Sequence, residues 1–410
     1  MLKIFKPLVA MKTEDKRNII FVSVSLFFVL LSYPLTRATT TSIFLQAYGA
    51  KNSPVVWLLS IIGLSVTIWI YNRFQLKVKI HSLFLITSFF TGCFFFLGII
   101  LYHFGSTFVA YPIFVWKEIY IVLQVHMLYA YLTSSIKLSE AKLVYGPIGA
   151  IGSIGGVIGG VLTSSLTSYI NTEAILLVGT IPIITASIFF MKTDKSNVIS
   201  ELMKGEKSSK RPINSIKPVL HYVLLIGLIV TLSQFVINLA NMKFNFLLEE
   251  MIPTKAGKTQ YLGKVYSLIN AVSLGIQVII IPFILKAFPL KLVHLFIPVS
   301  YLLAIIIGLG FGAGELMFVA GAFIFLKGAD YSIFSTAKEM FYFPLNAAQK
   351  YGAKYVNDIV IYRFSKGLIS LLLIYFQDIY LIDIFLYVFL VLWGVSLIPI
   401  FRASKKIERA

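Results

Sequence analysis

The sequence predicts an all-α polytopic membrane protein, and three observations lead to that fold class. Of the 410 residues, 58% are apolar or aromatic and 13% are charged, whereas soluble domains carry about 25% charged residues. Mean hydropathy is +0.87. The apolar residues occur in runs of about 20, the length a helix needs to cross the hydrocarbon core. These features exclude a water-soluble enzyme and a disordered chain, and they disfavour a membrane β-barrel, whose strands alternate apolar and polar residues.

Twelve apolar runs are candidate transmembrane helices, six on each side of a central polar stretch. The first run lacks a small-residue cleavage site, so we do not expect a removable signal peptide. The predicted spans are 18–35, 54–71, 80–101, 109–132, 146–168, 174–191, 219–242, 262–285, 292–312, 316–337, 357–376 and 381–401.

The polar stretch 192–218, rich in Lys and Ser, predicts a cytoplasmic linker between two six-helix bundles, 1–191 and 219–410. Two such halves are the plan of major-facilitator-type transporters, whose halves rock around a site near the membrane midplane. The sequence therefore predicts that architecture.

The charge distribution predicts the orientation in the membrane. Lys and Arg number 36 against 17 Asp and Glu, which gives a net charge of +19. With the N-terminus inside, inner segments carry 26 of these cations and outer segments carry 5. Cytoplasmic loops are enriched in Lys and Arg, so both termini are expected in the cytoplasm. No transit peptide is visible, and a bacterial inner membrane and a monomeric state are expected.

The sequence contains no pattern that indicates an enzyme, a cofactor or a metal site. The single cysteine, Cys93, cannot form a disulfide framework or a thiolate metal site. The five histidines show no metal-ligand spacing, and HExxH and GxSxG motifs do not occur. Because the positive charge lies mainly in predicted loops, a nucleic-acid partner is not expected either.

Charged residues within the fourth predicted span are the first candidate site residues. An ionisable group at membrane depth costs about 2.5–3.5 kcal/mol on insertion scales, so it usually faces a cavity or a partner. Lys117 and Glu118 are adjacent and therefore point about 100° apart on a helix. Glu118 is expected to face a cavity, and the alternative is a structural ion pair between helices.

Arg37 follows the first predicted span and precedes a run of hydroxyl side chains that includes Thr40. This pattern predicts that the helix continues past Arg37 into a hydrated cavity, with a kink at Pro34. Arginine suits phosphate because its planar fork donates two parallel hydrogen bonds. The alternative is an interfacial Arg at a helix end.

A stripe of asparagines marks the seventh predicted span. Asn238, Asn241 and Asn245 lie three and four residues apart and so share one helical face. Such a stripe either lines a cavity or forms hydrogen bonds between helices. Lys243, in the same segment, is expected at the outer interface.

The densest set of charges lies in and between the tenth and eleventh spans. Arg363 and Lys366 share a helical face, where like charges repel unless an acid or a substrate phosphate lies between them. Asp358 and Arg363 are expected to pair across a cavity or to form a cytoplasmic gate, and the alternative is a structural network. The set comprises Lys327, Asp330, Lys338, Glu339, Lys354, Asp358, Arg363 and Lys366.

The fifth span opens with the sequence GPIGAIGSIGGVIGG. Gly152, Gly156 and Gly160 repeat every four residues, a spacing that allows close helix packing. No Gly-Lys-Ser/Thr follows, so the segment is not a phosphate-binding P-loop. Tight packing is expected, with a hinge as the alternative.

The stretch KGADYSIFSTAKEMFYFPLNAAQKYGAKYVNDIVIYRFSKG resembles a segment of the nucleotide transporter family of plastids and intracellular bacteria, the twelve-span ATP/ADP translocases. The resemblance is carried there by Tyr331-Ser332, Phe334, Lys338-Glu339-Met340, Pro344-Leu345, Asp358 and Lys366. It extends more thinly to Tyr33, Arg37, Glu118, Glu140-Ala141-Lys142 and Asn238-Leu239.

The resemblance implies a major-facilitator-like carrier that exchanges ATP and ADP or takes up nucleotides. Arg37, Glu118 and Lys366 match family positions that are thought to contact the nucleotide or support exchange. Thr40 stands where the family usually has a lysine, and Asn241 stands where it usually has a glutamate. Asp330 stands where the family has a basic residue, and Ser335 stands where it has an aspartate.

The residues and the resemblance together predict a transport site for a phosphorylated organic anion, most specifically a nucleotide, in the lipid bilayer. Cations from both halves would bind the phosphates. The alternatives are another anionic or amphiphilic metabolite as cargo, or a non-transporting membrane sensor. The predicted substrate-binding residues are Arg37, Thr40, Glu118, Asn238, Asn241, Lys338 and Lys366. The predicted gate or ion-pair residues are Lys117, Asp330, Glu339, Asp358 and Arg363.

Overall fold

A computed structural model describes residues 13–75, 77–136, 138–194, 215–312 and 314–409. These residues are almost entirely helical and contain no strand, which confirms the predicted all-α class. Eleven helices in this part of the chain are long and apolar enough to cross a membrane. The chain is therefore a multi-pass integral membrane protein.

The helices of the first half follow the predicted spans closely. Helices α6 and α7 together form the sixth span. The helices are α1 (Thr13–Tyr48), α2 (Ser53–Phe74), α3 (Ile80–His103), α4 (Ala110–Ser135), α5 (Leu138–Leu166), α6 (Thr172–Val178) and α7 (Thr180–Phe190).

The helices of the second half are more often interrupted. They are α8 (Leu220–Met251), α9 (Lys255–Gly275), α10 (Ile281–Ala287), α11 (Leu290–Ile305), α12 (Leu316–Ala329), α13 (Ser335–Met340), α14 (Ala347–Lys354), α15 (Tyr362–Tyr375) and α16 (Ile379–Arg409). Segments with π-helical hydrogen bonding, which often occur at functional sites, are Ile276–Ile280, Ile306–Phe311, Asp330–Phe334 and Tyr355–Ile361.

The eleventh predicted span, 357–376, differs from the others in composition rather than in helix formation. It consists of the π-helical segment Tyr355–Ile361 followed by α15. It is not among the eleven apolar helices, and it carries Asp358, Arg363 and Lys366. This helix is therefore the one whose burial in a membrane most requires partners for its charges.

Helix α1 runs through Pro34 and past Arg37 to Tyr48, which confirms the predicted continuation. The kink at Pro34 and the hydrated cavity remain predictions. The hydroxyl run beyond Arg37 is satisfied within the helix. Thr39 donates to the carbonyl of Leu35 at 2.7 Å, and Thr40 donates to the carbonyl of Thr36 at 2.7 Å. Back-bonding of this kind lets hydroxyl side chains occupy a buried helix face without unsatisfied polar atoms.

The chain divides into two compact units. Unit 1 comprises Met1–Tyr48, Ile62–Ser208 and Pro253–Ala271, and unit 2 comprises Gly49–Ile61, Ser209–Ile252 and Val272–Ala410. The division at 1–191 and 219–410 that the sequence suggests remains a prediction. Most of the predicted linker, 192–218, lies outside the described residues.

Unit 1 is organised around α1, which packs against α4, α5, α6 and α7. Glycines of α5 allow its backbone to lie directly against that of α1. A methyl group at Gly155 or Gly159 would lie against the carbonyl oxygen of Phe27 or Leu31 on α1. The predicted close helix packing is confirmed, because α5 and α1 meet backbone to backbone.

The same helix meets α9 on another face. A methyl group at Gly156 would lie 2.5 Å from the side chain of Asn270, and one at Gly160 would lie 2.6 Å from the backbone nitrogen of Ser267. The Ser267 hydroxyl donates to the carbonyl of Val157 at 3.0 Å. Helix α5 is thus packed closely on two sides within unit 1.

Unit 2 has a corresponding central helix, α8, which packs against α12, α15 and α16. Its Tyr222 is buried and donates to the carbonyl of Phe341 at 2.7 Å. Gly227 allows α8 to approach the segment that holds Asn357 and Ile361. Each unit therefore places the first spanning helix of its half of the chain at the centre.

Candidate functional site

Arg37 in unit 1 lies over two tyrosine rings. Its guanidinium carbon is 5.4 Å from the ring centroid of Tyr33, one turn earlier on α1, and 4.3 Å from that of Tyr266 on α9. A cation over an aromatic face gains about 0.5–2 kcal/mol from the ring quadrupole. Stacking uses the faces of the guanidinium, whereas its N–H groups point in the plane in which carboxylates and phosphates bind.

Lys117 and Glu118 form an ion pair with each other. The Nζ of Lys117 lies 2.9 Å from Oε1 of Glu118 and 3.6 Å from the ring centroid of Phe114. The Lys117 side chain is 2% exposed and that of Glu118 is 32% exposed. Adjacent helical residues point about 100° apart, but the lysine side chain is long enough to bend toward Glu118. The carboxylate then offsets the charge of the buried ammonium.

Tyr33 connects these charges to Arg37. Its hydroxyl donates to Oε2 of Glu118 at 3.5 Å, and its ring lies beneath the Arg37 guanidinium. Unit 1 therefore holds one continuous polar network within its spanning helices. Thr40 is not part of it, since its buried hydroxyl is bonded within α1.

In unit 2, Asp358 pairs with Lys338. The Nζ of Lys338 lies 2.6 Å from Oδ1 of Asp358, and the hydroxyl of Tyr342 donates to the same oxygen at 3.4 Å. Burial raises the pKa of the Tyr342 hydroxyl, and the negative charge of Asp358 raises it further, so Tyr342 remains a donor. Within the described residues, Asp358 makes no ion pair with Arg363, which is half-buried.

Asp330 is the most deeply buried carboxylate of this group, at 6% exposure. The side-chain amide of Gln234 donates to its Oδ1 at 3.4 Å. Lys327, Lys338 and Lys366 lie close enough to interact with it electrostatically. Three cations thus lie near one buried acid in unit 2.

The remaining predicted residues of this segment have separate partners. The Nζ of Lys366 lies 4.8 Å from the ring centroid of Tyr362. Glu339 pairs with Lys354. The structure therefore brings Lys338, Asp358 and Asp330 into one charged region and gives Glu339 an ion pair of its own.

The asparagines of α8 differ from one another. Asn238 donates to the carbonyl of Gln234 on its own helix at 2.7 Å. Asn241 is half-buried and Asn245 is buried. The role of the stripe, as a cavity lining or in bonds between helices, remains a prediction.

Lys243, predicted to lie at the outer interface, is enclosed by protein. Lys243 is 5% exposed, and its Nζ lies 2.5 Å from Oδ1 of Asp383 on α16. The sequence did contain a signal for this pair, since Asp383 lies in an otherwise apolar span and an acid there needs a partner. Tyr266 and Gln234 had no such signal, because tyrosines and neutral amides are common in membrane helices.

No protein-family model matches the chain. In an alignment that covers 41% of the chain, it is 28% identical to ADP,ATP carrier protein 1 of Chlamydia pneumoniae. In an alignment that covers 56% of the chain, it is 25% identical to ADP,ATP carrier protein 3 of Rickettsia prowazekii. The matched stretches span 37% and 55% of those relatives.

Solved structures of major-facilitator-type transporters share the fold. A mutant form of the nucleoside transporter NupG superposes with a TM-score of 0.72 and 11% identity, covering 94% of this chain and 100% of that one. The POT family transporter PepTSo gives a TM-score of 0.69 and 11% identity, covering 97% and 99%. The predicted major-facilitator-type architecture is therefore confirmed.

Proposed function

We propose that the chain is a secondary transporter of the nucleotide transporter family that moves a phosphorylated organic anion, most specifically a nucleotide, by alternating access. The observation that carries this proposal is Arg37, a cation within the spanning part of α1, held over Tyr33 and Tyr266. Membrane burial of a guanidinium is costly, and its in-plane donors match a phosphate. The similarity to ADP,ATP carrier proteins over part of the chain supports the same cargo.

The charges of unit 2 supply a second phosphate-binding group. Lys327, Lys338 and Lys366 lie near Asp330, and Lys338 pairs with Asp358. In the empty carrier these carboxylates offset the lysines. A bound polyphosphate would take over that role, and Lys366 would contact it.

This arrangement favours exchange over one-way uptake. The three lysines outnumber Asp330 and Asp358, so one cation lacks a counter-charge in the empty carrier. Desolvating such a cation costs several kcal/mol, so a carrier with a phosphate bound changes conformation more readily than an empty one. Glu118, already bonded to Lys117 and Tyr33, would limit the positive charge near Arg37 in the empty state. Cytoplasmic termini, a bacterial inner membrane and a monomeric state belong to the same proposal.

The test is transport by the purified chain in liposomes. Labelled ATP is offered outside, and the liposomes contain either ADP or buffer alone. We expect faster uptake with internal ADP. Arg37→Ala and Lys366→Ala should each lower uptake by about tenfold or more, the loss expected for one hydrogen bond between charged groups. Arg37→Lys, which keeps the positive charge, should retain part of the wild-type uptake.

Two control variants replace an Arg and a Lys that also lie over aromatic rings but are not candidate site residues. Arg73 lies over Trp69 at 4.0 Å, and Lys350 lies over Phe343 at 5.1 Å. Arg73→Ala and Lys350→Ala should transport like the wild type. Unchanged uptake by both Arg37→Ala and Lys366→Ala would remove the phosphate role of these residues.

The residues at positions 40 and 241 favour a second cargo class, a phosphorylated metabolite other than an adenine nucleotide. Thr40 is bonded within its own helix and Asn241 is neutral, whereas the resembling family usually has a lysine and a glutamate there. A thermal-shift panel of anionic metabolites separates the two classes. A ligand at 100 times its Kd adds about 2.7 kcal/mol of stability, so the true cargo should raise the Tm clearly.

A further inference from the structure

Unit 1 contains an open cavity of about 750 Å3 that none of the candidate site residues lines. Its wall comes from the ends of three helices, at Ile99–Phe104 of α3, at Asn171–Leu177 around the start of α6, and at Lys255, the first residue of α9. A volume of this size falls within the range of about 300–1,000 Å3 that holds small ligands.

The predicted topology puts the cavity at the level of the membrane–water interface. Helix α3 ends at His103, and α6 and α9 begin at Thr172 and Lys255, so one end of each of three spans reaches the cavity. Aromatic residues are enriched at that level, and Tyr102 and Phe104 occupy it here. A ligand at this position would contact both headgroup and acyl regions of the surrounding lipid.

The charges of the wall are balanced. Lys255 pairs with Glu173, and its Nζ lies 5.0 Å from the ring centroid of Tyr102. Asn171 caps α6 by accepting from the backbone nitrogen of Ala174 at 2.8 Å, which holds Glu173 in the first turn. One fixed anion and one fixed cation therefore face the same cavity.

Another part of the wall is apolar. It is formed by Ile99 and Ile100, one turn inside the end of α3, and by Leu177 of α6. The polar pair thus sits at the helix ends and the apolar surface lies deeper in the spans. This order of polar and apolar groups matches that of a phospholipid.

We propose that this cavity binds the headgroup of a zwitterionic phospholipid with a primary ammonium, of the phosphatidylethanolamine type. Glu173 accepts hydrogen bonds from the ammonium, and Lys255 binds the phosphate. Ile99, Ile100 and Leu177 contact the carbons next to the glycerol.

Other headgroups match the wall less well. A phosphate without an ammonium would bring a second anion beside Glu173, and like charges repel. A quaternary ammonium has no N–H to donate to that carboxylate. The proposal is independent of the cargo, since the cavity shares no residue with the candidate site.

The test measures lipid binding to the full chain in detergent by native mass spectrometry and by the shift in Tm. Phosphatidylethanolamine, phosphatidylcholine and phosphatidylglycerol with the same acyl chains are compared, together with glycerophosphoethanolamine, which lacks acyl chains. The wild type should bind phosphatidylethanolamine about tenfold more tightly than the other two lipids, as one charge-assisted hydrogen bond allows.

Glu173→Gln and Lys255→Gln should each abolish that preference. Lys354→Gln, which breaks another lysine–carboxylate pair, in unit 2, should keep it. Ala174→Phe fills the cavity without changing a charge and should block binding, which covers the case in which a charge variant fails to fold. Equal binding of the three lipids, or an unchanged preference in the Glu173 and Lys255 variants, would overturn the proposal. If glycerophosphoethanolamine bound as tightly and raised the Tm as much as the lipid, the assignment of a lipid would be overturned.

Discussion

The guanidinium carbon of Arg37 lies 4.3 Å from the ring centroid of Tyr266, although the two residues belong to α1 and α9. Tyr33 lies near the same guanidinium at 5.4 Å. Two rings from different helices restrict the orientation of a long, flexible side chain. Because a phosphate needs the guanidinium in one plane to form two hydrogen bonds, Tyr266 is expected to position Arg37 without contacting the cargo itself.

Replacing Tyr266 tests that positioning. Tyr266→Leu removes the ring and should raise the KM for uptake at least two- to fivefold, the equivalent of about 0.5–1 kcal/mol, the lower part of the range for a cation–π contact, with little change in maximal rate. Tyr266→Phe keeps the ring face and should stay close to the wild type. Concentration-dependent uptake in liposomes measures both. Equal loss in the Phe and Leu variants would show that the hydroxyl, and not the ring, is what Arg37 requires.

The Lys338–Asp358 pair tests the counter-charge mechanism. Asp358→Asn removes the carboxylate that lies 2.6 Å from the Lys338 ammonium. Nucleotide binding should become several-fold tighter, because the phosphate no longer competes with a fixed anion. Exchange should persist while uptake into empty liposomes slows. Weaker nucleotide binding in this variant would instead mean that Asp358 orients Lys338.

Lys243 and Asp383 test the stability of a buried ion pair. Asp383→Asn leaves a buried ammonium without its partner, which typically costs about 3–5 kcal/mol. Lys243→Met leaves a carboxylate that is 31% exposed and partly hydrated, so its loss should be smaller. The double change should recover part of the stability. Thermal unfolding in detergent gives all three values, and strictly additive losses would contradict a direct pair.

Gly159 tests the close contact between α5 and α1. Gly159→Ala places a methyl group against the Leu31 carbonyl, and forcing a tightly packed contact apart typically costs about 1–3 kcal/mol. Gly92→Ala is the matched control, since nothing lies within 4 Å of the added methyl. It should leave the Tm unchanged or raise it, because Ala favours a helix by about 0.5–1 kcal/mol over Gly. Similar Tm values for both variants would argue against this packing.

The spanning helices were predictable because their apolar runs are long and uninterrupted, and the glycine repeat of α5 indicated its packing. Partners were much harder to predict. Lys243 looked interfacial because it follows the predicted seventh span, yet α8 extends to Met251 and buries it against Asp383. The stack of Tyr266 on Arg37 depends on how α9 crosses α1, and no feature of one tyrosine among 22 marks that crossing.

Helix α5 presents bare backbone toward α1 through Gly155 and Gly159 and toward α9 through Gly156 and Gly160. Because the glycines let both neighbouring helices approach α5 closely, we expect the three helices to move together. Arg37 belongs to α1 and Tyr266 belongs to α9, so the packing of both helices on α5 keeps the Arg37–Tyr266 contact in place. Substitutions of side chains on these three helices would then change which cargo binds without changing how the helices pack.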